Sequence, residues 1–65
     1  MTLIEIKEAY YSQYPILKYH NCHFWESEGN YYCQAFNEIT KEFYGNTFKL
    51  DINNLTMQKV IIGNK

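Results

Sequence analysis

Four side chains able to bind a metal or move protons, His20, Cys22, His23 and Cys33, crowd into one short stretch of this 65-residue chain. Imidazole and thiolate are the usual zinc donors, and four donors is the count of a closed structural site. The spacing opposes that reading. His-x-Cys-His is not a knuckle spacing, and in a strand alternation sends His23 to the face opposite the other three. Without a secretory signal at the N-terminus, the two cysteines are expected as small buried thiols rather than a bridge. Nucleophilic catalysis requires a nucleophile, a base and an orienting group within hydrogen-bond reach. Ser12 and Ser27 fall at a helix end and in a turn, and no glycine loop is suited to cradling phosphate. The chain is therefore expected to bind rather than catalyse, with no cofactor and no metal.

The elements that carry these residues follow from pattern. Thr2 and Glu5 form a capping box, with Met1 and Ile6 as a hydrophobic staple, so a helix is expected from Leu3 to near Gln13, ahead of Pro15. Leu3, Ile6, Tyr10 and Tyr14 line its inner side. From Ile16 the period changes to two, which predicts a hairpin turning around Glu28-Gly29-Asn30. One of its faces would carry Ile16, Lys18, His20, Cys22 and Phe24 with Tyr31, Cys33 and Ala35. The other would carry Leu17, Tyr19, Asn21, His23 and Trp25 with Tyr32, Gln34 and Phe36. Residues 37–45 predict a two-turn helix, capped by Asn37, with Ile39 and Phe43 at i and i+4 and Gly45 as its stop. Phe48 to Ile52 alternates as a strand, Asn53-Asn54 makes a turn, and 55–62 is best read as another strand, a helix being the alternative. The expected fold is one α+β domain spanning 1–65: an N-terminal helix, then an antiparallel sheet of three to four strands with a short helix inserted after the first hairpin.

Seven acids face six lysines and no arginine, giving a net charge of −1. Such a chain has no basic patch with which to bind nucleic acid directly. No apolar run approaches the ~20 residues that span a bilayer, so a cytoplasmic protein without membrane contact is expected. Aromatic residues make up 18% of the chain and occupy both faces of the predicted hairpin. A domain this short has too few helices to cover two apolar faces, which predicts burial of one against a second copy, as a homodimer, or against a foreign protein. In the second case Tyr19, Trp25 and Tyr32 would be the anchors.

Glu28-Gly29 in the turn, Tyr31-Tyr32 opening the next strand and Tyr44-Gly45-Asn46-Thr47 resemble the small dimeric uracil-DNA glycosylase inhibitors of Bacillus phages. The resemblance covers roughly residues 16 to 62. It implies a phage-encoded DNA mimic acting in the host cytoplasm, whose helices form an apolar pocket for the enzyme's DNA-inserting leucine. By position, it implies that Ile39, Phe43 and Tyr44 line that pocket while Glu38 and Glu42 stand in for phosphates. The protein target would be a bacterial uracil-DNA glycosylase or another host or defence protein.

Overall fold

A computed structural model describes residues 2–60. The order is α1 (Leu3–Gln13), α2 (Pro15–Tyr19), β1 (His23–Ser27), β2 (Asn30–Asn37), β3 (Glu42–Asp51) and β4 (Thr56–Lys59). The four strands form one antiparallel sheet in the order β1-β2-β3-β4. The α+β class is as expected, although the short helix precedes the sheet instead of interrupting it. No helix among the described residues is long and apolar enough to cross a membrane.

Helix α1 starts where its capping box places it: the Thr2 hydroxyl accepts from the Glu5 amide at 3.2 Å, and the Thr2 amide donates to the Glu5 carboxylate at 2.8 Å. The Met1 half of the expected staple lies outside the described residues. Ile6 and Tyr10 are fully buried, and Tyr14 packs beside them. Pro15 ends α1 as predicted but then opens α2, because its fixed φ suits a first helical position and its missing N–H is not needed there. Residues 16–22, expected as strand, are therefore a single helical turn and a link. Leu17 is pinned under the sheet, and Asn21 turns the chain at φ 53° into β1.

Ser27 pairs with Asn30, so the hairpin turns on Glu28-Gly29, both at positive φ as a type I′ turn requires. The largest departure from expectation lies at 37–45. Asn37 does cap, its Oδ1 accepting from the amides of Ile39 (2.8 Å) and Thr40 (3.1 Å), but it caps a tight turn over 38–41 that leads straight into β3. A ten-residue β3, paired with β2 at both its ends and with β4 over its last four residues, outweighs two isolated helical turns, which cannot sustain themselves without a face to bury. Gly45, at φ 76°, sits in the β3 bulge opposite Gln34 instead of stopping a helix. The β3–β4 connection is four residues, 52–55, organised by the Asp51 carboxylate, which accepts from the Asn53 amide and the Asn54 side chain. Strand is the form taken at Thr56–Lys59; the predicted extension to 61 and 62 lies outside the described residues.

Among the described residues the buried hydrophobic ones, Ile6, Tyr10, Leu17, Cys22, Cys33 and Leu50, sit between the helices and one side of the sheet. The molecule is accordingly a slab, 17 Å through its thin axis. This is a two-layer arrangement, with the helical layer on one side of the sheet only.

Candidate functional site

The register fixes what the uncovered side of the sheet displays. Directly paired residues share a face, so His23 with Gln34, Trp25 with Tyr32, Tyr32 with Lys49 and Phe36 with Phe43 all point away from the helices. Their rings form a connected set. Trp25 stacks on Tyr32 with centroids 6.0 Å apart, and meets Phe43 edge-on at 5.9 Å. Phe43 in turn meets Phe36 at 5.0 Å and His23 at 5.8 Å, and His23 stacks on Phe36 at 4.2 Å. Offset and edge-to-face pairs of this kind favour a defined arrangement over a loose apolar smear. Each ring is half-buried by its neighbours alone, and Phe43 remains 49% exposed.

Between Trp25, Phe43, His23 and Gln34 lies an apolar groove of about 410 Å³. It lies beside the bulge, where β3 runs three residues between Tyr44 and Phe48 and β2 runs one between Ala35 and Cys33. Its polar floor is fixed by the Gln34 amide, which donates to the Gly45 carbonyl at 3.0 Å and accepts from the Thr47 hydroxyl at 3.1 Å.

At one end of this face the Glu38 carboxylate gathers three partners. The Asn21 amide donates to it, His23 Nε2 lies 3.6 Å away, and the Lys41 ammonium 3.5 Å away. The Asn21 bond, then the Lys41 and His23 groups, hold this carboxyl below its ordinary value. Glu38 is therefore a fixed anion at the rim of an aromatic surface.

The residues expected on a pocket-forming helix are thus dispersed, for want of that helix. Phe43 belongs to the aromatic face. Ile39, 92% exposed, tips the turn, and Glu42 starts β3 with the opposite orientation to Phe43. Tyr44 points to the helical side, where its hydroxyl shares a 2.9 Å hydrogen bond with His20 Nδ1. Of the second expected set, Trp25 and Tyr32 meet directly. Tyr19 does not join them: it ends α2, 81% exposed, beside the His20 ring. His23 and Phe36 extend the face; their alternation with Trp25 and Tyr32 was the signal for them.

The cysteine–histidine cluster separates in space. Cys22 and Cys33 are buried free thiols, both pushed up by burial, Cys33 to about 12. His20 and His23 face Tyr44 and Glu38. Among the described residues no three metal-ligating side chains converge, and no serine, threonine or cysteine bonds to either imidazole. Comparison with protein families, curated proteins and solved structures finds no match to this chain.

Proposed function

We propose that this protein is a protein-binding module, an inhibitor-type binder rather than a catalyst, which docks a basic, apolar-studded surface of another protein on its aromatic sheet face. The observation that carries the reading is the uncovered, connected ring set of Trp25, Tyr32, Phe36, Phe43 and His23. Tryptophan and tyrosine in such settings dominate interface energetics. Charge argues for the kind of partner. From β1 to β4 the described chain carries five acids, Glu26, Glu28, Glu38, Glu42 and Asp51, against three lysines, Lys41, Lys49 and Lys59, while acids and lysines balance on the helices. Glu26 and Glu42 project to the helical side and Lys49 to the aromatic side, so the excess acts through the overall field of the sheet rather than as a rim of carboxylates, with Glu38 the anion fixed beside the rings. Such a field complements the grooves of DNA-acting enzymes and would speed their capture.

Uracil-DNA glycosylase is the named target, on the resemblance at Glu28-Gly29 and Tyr44-Gly45-Asn46-Thr47. In this fold the apolar receptor for an inserting leucine would be the Trp25–Phe43 groove with Glu38 at its rim. Uracil excision by bacterial glycosylases, measured with the protein in excess, tests that target, and undiminished excision removes it. The broader reading is tested by Trp25→Ala in a binding assay: a loss of at least about 2 kcal/mol, roughly 30-fold, is expected with the fold retained. Full binding by Trp25→Ala and by Phe43→Ala would overturn it.

A further inference from the structure

We infer that the free edge of β1 is a self-pairing surface, on which a second copy of this chain adds antiparallel about a two-fold axis at Trp25. The inference is independent of what occupies the aromatic face. In a hairpin closed by two residues, the flanking pair Ser27–Asn30 exchanges backbone hydrogen bonds, and the pattern alternates from there. Ser27, Trp25 and His23 thus direct their backbone groups to β2, while Phe24 and Glu26 direct theirs outward. Among the described residues no backbone or side-chain group bonds to those outward N–H and C=O groups. The opposite edge differs: the Thr56 carbonyl there already accepts the Tyr10 hydroxyl.

An antiparallel strand centred on Trp25 sets Phe24 of one copy against Glu26 of the other, so each outward amide meets an outward carbonyl, twice over by symmetry. Charge complementarity selects this register. Alongside β1, between it and α1, runs a groove of about 330 Å³ lined by Leu3, Ile4, Lys7, His23 and Phe24. Ile4 is 70% exposed there, and Lys7, whose ammonium lies 5.5 Å from the centre of the Tyr11 ring, has no carboxylate partner among the described residues. Glu26 projects to the same side of the sheet as Phe24, so Glu26 of the second copy falls at the mouth of this groove, toward Lys7. The two Glu26 side chains, which would otherwise guard an edge by repulsion, end up diagonal to each other at roughly 7–8 Å. Such an isologous pairing joins the two sheets into one and places Trp25 beside Trp25 on a single aromatic platform.

Sedimentation equilibrium of the full chain over a wide concentration range is the test, with circular dichroism of the sole tryptophan as a local readout. The expected result is a species of twice 7.9 kDa whose formation brings an exciton signal from paired indoles. Lys7→Glu or Glu26→Lys alone should weaken dimerisation roughly tenfold, since two symmetric attractions become repulsions, and the double variant should restore it. Glu26→Pro, which removes the outward N–H together with the carboxylate, should dissociate the pair further than Glu26→Gln, which removes the charge alone. A 7.9 kDa species at every concentration overturns the inference. So does a dimer that survives Lys7→Glu and Glu26→Pro but dissolves on Phe43→Ser, which would mean pairing face to face.

Discussion

The hydroxyl of Tyr10 on α1 reaches the main-chain carbonyl of Asp51, forty-one residues along the chain, at 3.0 Å, and that of Thr56 at 2.7 Å. It therefore ties the first helix to both ends of the β3–β4 connection. Two neighbours act alike: Tyr14 donates to the Leu55 carbonyl at 2.7 Å and Tyr11 to that of Cys22 at 2.9 Å. In a domain with so few buried residues, phenol-to-backbone bonds replace part of the missing core. Each satisfies a loop carbonyl that would otherwise be shielded from water without a partner.

Tyr10→Phe keeps the ring and removes the donor. The variant should lose about 1–2 kcal/mol, because two partly buried carbonyls are left short of a partner. For a chain of this size that corresponds to a fall of roughly 4–8 °C in Tm per kcal/mol, readable by thermal denaturation. An unchanged melt would show that the helix is held by ring packing alone.

Glu28 holds φ 52° at the first turn position, a conformation that suits asparagine better than glutamate, whereas Gly29 at φ 80° is already the favoured residue. Glu28→Asn should therefore stabilise the hairpin by about 0.5–1 kcal/mol, and Gly29→Ala should destabilise it by about 1 kcal/mol or more. Urea titrations of the two variants should move the midpoint in opposite directions.

The Glu38 carboxyl is held below its ordinary value, first by the Asn21 amide and then by Lys41 and His23. A carboxyl depressed by folding contributes stability above its unfolded pKa and loses that contribution as pH falls through its folded pKa. Wild type should thus melt above Glu38→Gln at neutral pH, and the two curves should converge in acid, below the ordinary value of 4.5. Glu5 and Asp51 shift in the same direction, through Thr2 and Asn54, so an acid limb of reduced height should remain in the variant.

Burial raises the Cys33 thiol to about 12, with Cys22 adding to the effect. A thiol raised by folding contributes stability below its unfolded pKa, which is lost as pH climbs toward the folded value. Stability should accordingly decline above about pH 8.5, where the unfolded thiol ionises. Alkylation of the native protein at pH 8 should proceed no faster than unfolding, which mass spectrometry against a denatured control would reveal.

Local interactions were legible in the sequence. The Thr2–Glu5 box started α1, Pro15 ended it, and Glu28-Gly29 set a hairpin register from which the two sheet faces could be written down, including His23, Trp25, Tyr32 and Phe36 together. What the chain could not announce locally was which of two short-range patterns would win where both were present. Ile39 and Phe43 satisfy a helical spacing, yet Phe43-Tyr44 also suits a strand, and pairing with Phe36 and Ala35 of β2 decided for the strand. Ile16 to Tyr19 alternates like a strand, but β2 reaches that end with no more than a 3.4 Å contact from the Phe36 amide to the His20 carbonyl, so the segment beyond Pro15 coils into helix. The candidate site moved with these choices. Its residues were foreseeable as one face of a strand pair, whereas the arrival of Phe43 on that face depended on long-range register, because a strand exists only through the partners that distant sequence supplies.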